Sequence, residues 1–332
     1  MLTPRASTVV VLILMWVGVT ALAVQQFEPP PTASRQPAPA SDLGSVVGWF
    51  CPMHPVHTSH EAGRCPICGM ALVAGNPYDT SDYPLDVVTR PAAVVAGKPV
   101  TMTFTVRHPR TGDLVKTYEV VHDKRYHLFV ISQDMTVFEH LHPELQANGA
   151  WQIPLTLPKP GYYRILSDFL PSGGAPQFLS RTLVTAGFDQ DLMSQTARLQ
   201  PDTVLTKTVD SITASLEFDP PVLVAGQYGH LRYTLTDAAT GAPVTDLQPY
   251  LGAFGHTLIL SEDMADYVHS HPTEGVEHDI SRGLGGPRVT FEGYMPQPGR
   301  YRAWTQFQRH DRTTTIPFTV NVVSLEEAFR TR

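Results

Sequence analysis

Residues 126–144 read YHLFVISQDMTVFEHLHPE, and residues 255–273 read GHTLILSEDMADYVHSHPT. In each stretch a His opens an apolar run, a Ser-x-Asp-Met cluster interrupts it, and a His-x-His-Pro closes it. The runs are too short for a globular helix and rich in β-branched and aromatic residues, so each stretch predicts a β-hairpin.

The repetition extends outward on both sides. Val95-Ala96-Gly97 returns as Val224-Ala225-Gly226, and Thr111-Gly112 as Thr240-Gly241; His127, His140 and His142 return as His256, His269 and His271, all at an offset of 129. Further on, Leu157-Pro158-Lys159-Pro160-Gly161-x-Tyr163 matches Met295-Pro296-Gln297-Pro298-Gly299-x-Tyr301 at an offset of 138, so the second copy carries about nine extra residues around EGVEHDISRGLGG. A period of this length is an internal domain repeat.

Between these landmarks short Val-, Thr-, Phe- and Tyr-rich runs alternate with Pro-Gly and Thr-Gly turns. Examples are PVTMTFTV (99–106), YHLFVIS, YYRILSDF (162–169), HLRYTLT (230–236) and PFTVNVV (317–323). The expected fold class is all-β: two tandem immunoglobulin-like β-sandwich repeats, 85–187 and 205–324, without the usual inter-sheet Cys pair. The one plausible helix is short, near Asp189–Arg198.

The chain has 332 residues, a formal net charge of -7, 30 Pro and three Cys. The charge balance and the lack of a long basic block exclude nucleic acid as the expected partner and favour cations. Residues 1–27 carry Arg5 and then no charge before Glu28. They predict an export segment, either a cleaved signal peptide ending near Ala21-Leu22-Ala23 or a retained inner-membrane anchor over residues 6–27. The remainder is expected in the periplasm or cell envelope, touching a membrane only through that segment. Residues 28–47, rich in Pro, Ala and Ser, predict an extended linker that lets the next module move.

That module, 48–75, holds every cysteine. Cys51-x2-His54 and Cys65-x2-Cys68 offer three thiolates and one imidazole to a tetrahedral ion. A Cys65–Cys68 disulfide is the alternative for an exported chain. Gly69 closes the second knuckle, where a positive φ is expected. Thiolates suit Zn(II), and Met53 and Met70 beside them would suit Cu(I) or Ag(I). CPMHP followed by CPICGMAL resembles the small heavy-metal-binding domain near the N-termini of bacterial copper and silver efflux proteins. The resemblance covers about 25 residues and implies metal binding by Cys51, His54, Cys65 and Cys68, with a metal efflux or delivery protein as the kind of partner. Nothing later resembles an adaptor's helical hairpin or an ATPase's membrane helices.

For the histidines, a hairpin turn centred between Gln133 and Asp134 would set His127 opposite His140 with His142 on the same face, one pleat along. The second copy repeats the arithmetic around Glu262 and Asp263 for His256, His269 and His271. Three imidazoles repel when protonated and pack poorly when neutral, so each triplet is expected to hold its own divalent ion, copper or zinc. Such an ion should be lost as pH falls through the imidazole range. Asp168 lies on the later strand as a fourth ligand or hydrogen-bond acceptor, although its counterpart is Gln306. Met135 and Met264 sit at the turns, more in keeping with packing than with ligation. His57, His60 and His278 are auxiliary candidates, while His108, His122, His230 and His310 have no counterpart and are set aside. The His-x12-His-x-His-Pro pattern also resembles that of uncharacterised exported bacterial proteins associated with metal handling.

The reading that follows is an exported copper or zinc sequestration, relay or resistance protein rather than an enzyme. The alternatives are a metalloenzyme with open three-His sites and a structural or adhesion protein braced by ions. No Gly-x-Ser-x-Gly, His-Glu-x-x-His or phosphate-loop motif is present.

Overall fold

The computed structural model describes residues 48–272 and 283–330. The expected export segment (1–27), the linker (28–47) and His278 lie outside the described residues. Among the described residues no helix is long and apolar enough to cross a membrane.

Three short strands, β1 (Gly48–Phe50), β2 (Thr58–Ser59) and β3 (Val73–Gly75), form a sheet of order β2-β1-β3 that carries the cysteine module. Eight strands follow: β4 (Leu85–Arg90), β5 (Pro99–Val106), β6 (Tyr126–Ser132), β7 (Phe138–Leu141), β8 (Glu144–Leu145), β9 (Trp151–Thr156), β10 (Tyr162–Phe169) and β11 (Gln177–Val184). They make two four-stranded sheets, β4-β5-β9-β8 and β11-β10-β6-β7. Phe104 and Trp151 from the first sheet and Tyr126, Leu128, Val130 and Tyr163 from the second share one buried core, which defines a sandwich.

The second copy uses β12 (Thr206–Val209), β13 (Ile212–Asp219), β14 (Leu223–Val224), β15 (Tyr228–Asp237), β16 (His256–Ser261), β17 (Tyr267–Ser270), β18 (Arg288–Tyr294), β19 (Gly299–Arg309) and β20 (Arg312–Val323). Its sheets are β12-β13-β15-β18 and β14-β20-β19-β16-β17, closed over Tyr233, Phe291, Ala303, Phe307 and Phe318. The expected helix is present as one turn, α1 (Leu192–Gln195), and α2 (Leu325–Arg330) ends the described chain.

All seven residues of β6 and all six of β16 are buried. A strand with one wet face would alternate, so both faces of these strands must be covered. Tyr126, Leu128 and Val130 point into the first sandwich, whereas Phe129 and Ile131 join Leu166, Leu258, Leu260, Met264 and Trp304 in a third core drawn from both repeats. The two sandwiches therefore pack against each other through the β6–β7–β10 and β16–β17–β19 sheets. Phe138 stacks on Trp304 across this boundary, ring centroids 4.8 Å apart and 10° from parallel.

The hairpin turns explain the Ser-x-Asp-Met cluster. Ser132 Oγ donates to Asp134 (2.6 Å) and accepts from the Val137 amide (2.9 Å); Ser261 Oγ likewise donates to Asp263 (2.5 Å) and accepts from Asp266 (2.8 Å). Met135 and Met264 take left-handed backbone at φ 56° and 60° and bury their side chains in the shared core. These methionines are packing residues. Their left-handed turn lengthens the loop and moves the hairpin centre: Phe129 pairs with His140 and Leu258 with His269. The observed register is thus two residues from the expected one. An even shift keeps every side chain on its expected face.

The module is docked on the first sandwich rather than held away from it. Phe50, Val73 and Leu170 share a small core, with Val121 against it. Gly75 is required at the contact, because a Cβ there would lie 2.4 Å from Gly174 O.

Candidate metal centres

In the module, β1 delivers Cys51, the following turn His54, and a second turn Cys65 and Cys68. Gly69 adopts φ 70° and donates its amide to Cys65 O (2.9 Å), which closes the knuckle as its sequence predicts. Cys51 Sγ lies 3.6 Å from Cys68 Sγ and 3.7 Å from His54 Nδ1, and Cys65 Sγ lies 3.7 Å from the same nitrogen. A disulfide would need about 2.05 Å between sulfurs, and the three cysteines are free. Sulfurs about 2.3 Å from a central tetrahedral ion would lie about 3.8 Å apart, so these donors fit such an ion. Hydrogen bonding from Cys68 lowers the Cys51 thiol to about 4, and the Cys51 sulfur in turn raises the His54 pKa. His57 is half-buried and His60 exposed, and neither joins this group.

The six repeat histidines occupy one place, not two. His127, His140 and His142 converge as expected, with donor nitrogens within 4.8 Å of one another. In the second copy the corresponding tight set is His256 and His269 with His122, a residue outside the repeat pattern. His271 flanks this set, its ring 4.1 Å from His256 and 3.3 Å from His122. The two sets meet across the repeat boundary, with His127 5.0 Å from His269 and His140 6.0 Å from His256, ring to ring.

Four rings have their protons fixed by oxygen acceptors. His127 Nε2 donates to Val121 O (2.9 Å) and His256 Nε2 to Leu251 O (3.2 Å). His140 Nδ1 donates to Gln306 Oε1 (2.8 Å) and His269 Nδ1 to Asp168 Oδ2 (2.8 Å). Each ring is left with a lone pair on its other nitrogen, facing the cluster. His127 Nδ1 and His140 Nε2 then face each other at 3.1 Å with no proton between them. Two nitrogens about 2.0 Å from a common tetrahedral ion would lie about 3.3 Å apart. Elsewhere in the cluster both nitrogens of His122, Nε2 of His142, His269 and His271, and Nδ1 of His256 are buried without a partner. Unpaired buried polar atoms are costly and rare, so six together need an explanation. Ligation supplies one.

The electrostatics agree. Burial, followed by the neighbouring imidazoles, pushes His122, His256, His271 and His140 well below the usual histidine range. Burial lowers His127 to about 4 and His142 to about 3. All stay neutral at pH 7, the form that binds metal. Burial alone would raise the Asp168 carboxyl, but hydrogen bonding from His269 and Tyr267 outweighs it and holds the group ionised. Asp168 is therefore an acceptor for the other repeat's histidine, and Gln306 does the same job in return.

The cysteine module stands over this cluster. A cavity of about 340 Å³ has His54 and Cys68 on one side and His122, His269 and His271 on the other. A second, of about 480 Å³, runs between Cys68 and the His122–His271 pair. Of the histidines set aside from the sequence, His108, His230 and His310 lie elsewhere; only His122 joins the cluster. No repeat signal marks it, because its counterpart at the same offset is Leu251.

Family comparison resolves what kind of chain this is. The family described as Domain of unknown function (DUF8832) matches residues 80–185 and again 207–324, which is most of the chain. The chain belongs to the DUF8832 family. The two DUF8832 matches cover the two sandwiches, and a Heavy metal binding domain matches residues 49–74 in front of them. That domain, with the Cys/His group inside it, makes this DUF8832 chain a metal-binding protein and points away from an enzyme. No curated protein matches the chain in sequence. Among solved structures, the Escherichia coli adhesin FdeC is 13% identical over 76% of this chain and 68% of its own, with a TM-score of 0.23. The Yersinia pseudotuberculosis adhesin InvE is 12% identical over 74% and 61%, with a TM-score of 0.22. The chicken CNTN1 FN1–FN3 domains are 9% identical over 80% and 73%, with a TM-score of 0.19. Likeness this weak fixes neither fold detail nor function.

Proposed function

We propose that the chain is an exported copper-binding protein of the bacterial envelope that sequesters the ion or passes it on, with zinc as the competing ion. The observation that carries this reading is the set of six buried, partnerless imidazole nitrogens beside a three-thiolate site. Imidazole binds copper ahead of zinc in intrinsic affinity, and thiolates with Met53 and Met70 nearby suit monovalent copper or silver. Export rests on the apolar stretch of residues 6–27, and a delivery or efflux protein is the partner that a relay would require. The sandwiches are read as immunoglobulin-like from their size and paired sheets.

Metal analysis of the purified chain tests this, with copper and zinc titrations of wild type, a Cys51/Cys65/Cys68→Ser variant and a His127/His140/His142→Ala variant. Each variant should lose bound metal that wild type retains. Equal stoichiometry in all three would remove the reading.

A further inference from the structure

We propose that the histidines of both repeats, together with His122, build one two-ion centre across the repeat boundary, so that its ions bind as a coupled pair and clamp the sandwiches together. This deepens the metal-binding reading and rests on it.

Distances carry the first step. Within the first set, ring centroids lie 5.3 Å (His127–His140), 5.0 Å (His127–His142) and 4.8 Å (His140–His142) apart. Between sets, His127 is 5.0 Å from His269, His122 is 5.6 Å from His127, and His140 is 5.8 Å from His269. The nearest approach between sets, 5.0 Å, falls within the range of gaps inside the first set. Yet the donors do not merge into a single site, since each set gathers its own nitrogens within 4.8 Å. Two neighbouring ions fit; two independent sites do not.

The supporting hydrogen bonds carry the second step. His140, a donor of the first set, is oriented by Gln306 of the second repeat; His269, a donor of the second set, is oriented by Asp168 of the first. Neither half can be aligned unless the repeats are docked. Filling either half therefore favours the docked arrangement that the other half needs, which is positive coupling by linkage. His122 adds a donor from the first repeat to the second set, so that set is itself built from both repeats.

Charge sets the chemistry. Among the described residues Asp168 is the carboxylate hydrogen-bonded to the rings, so two divalent cations here would repel strongly. A hydroxide shared between them offsets this: one metal-bound water releases a proton to solvent and bridges both ions, with no change of oxidation state. The expected ligands are thus two copper(II) or zinc(II) ions with a bridging hydroxide.

Electron paramagnetic resonance on the full chain with Cys51, Cys65 and Cys68 replaced by Ser, which prevents reduction of added copper(II), tests the pair. The expected result is that the second equivalent of copper(II) fails to double the signal, and that a half-field transition or loss of intensity appears. A doubled signal with unbroadened lines, or saturation at one ion, overturns the shared centre. Should that variant fold poorly, native mass spectrometry of wild type titrated with zinc(II) gives the same decision: the imidazole-bound ions should load together, and a statistical distribution of singly loaded chains overturns the proposal. In wild type, His127→Ala should weaken both ions of the centre at least tenfold; one ion unaffected within twofold also overturns it. Absence of any imidazole-bound ion would instead sink the metal-binding reading itself, which separates the two failures.

Discussion

His269 of the second repeat donates its Nδ1 proton to Asp168 of the first at 2.8 Å, and the equivalent His140 of the first donates to Gln306 of the second at the same distance. The two contacts are mates under the internal repeat, and both cross the boundary. Each fixes a ring and aims its Nε2 at the cluster. They differ in charge, because one acceptor is a carboxylate and the other an amide.

That difference can be measured. Asp168→Asn keeps an acceptor oxygen but removes the charge that strengthens the donor ring, and it should weaken zinc(II) binding at the imidazoles about 10- to 100-fold. Gln306→Glu should act in the opposite direction. Competition titration against a chromophoric chelator reads both, and equal affinities in the two variants would show that the acceptor charge does not tune the centre.

Acid should unfold the metal-free protein early. His127 and His142 are held at about 4 and about 3 by burial, below the ordinary histidine value. Below about pH 6.5 the unfolded chain takes up protons that these folded rings refuse, so stability is fully present above that pH and falls as pH drops toward the folded values. The urea midpoint of chelator-treated protein should therefore decline from pH 7 to pH 5. A flat midpoint across that interval would mean that these rings are not buried as described.

Much of this was legible in the sequence, and the parts that were not share a cause. The repeat placed YHLFVIS and HTLILS on strands, and strict alternation within each strand put three His on one face. The turn was misplaced by the left-handed Met135 and Met264, residues that side chains rarely favour in that conformation. Continuous apolar runs signal burial on both faces but not what covers the second face. Here it is the other repeat. For that reason the sequence suggested two sites where the fold makes one cluster, and a filter based on repetition discarded His122, whose mate is Leu251.

The boundary itself can be loosened. Trp304 is buried against Phe138 of the other repeat. Trp304→Ala should cost about 3–5 kcal/mol, the usual range for a buried aromatic truncated to Ala. Calorimetry should show the larger loss in metal-free protein, with saturating zinc(II) restoring part of it, since ions bound across the boundary oppose its opening. An identical loss with and without zinc would indicate that the ions do not bridge the repeats.

Docking of the cysteine module can be separated from its metal. Gly75 approaches Gly174 O so closely that a Cβ would sit 2.4 Å from that oxygen and 2.9 Å from the Phe50 ring, and backbone on one side cannot step aside as a flexible side chain could. Gly75→Ala should therefore cost about 1–3 kcal/mol as an overpacked contact. The module's donors, Cys51, His54, Cys65 and Cys68, all lie within a single short stretch and do not need the sandwich to converge. The variant should keep the thiolate charge-transfer band of bound cobalt(II) at wild-type intensity while proteolysis between residues 75 and 85 accelerates. Losing the band together with the docking would mean that the sandwich, not the knuckle spacing, shapes the thiolate site.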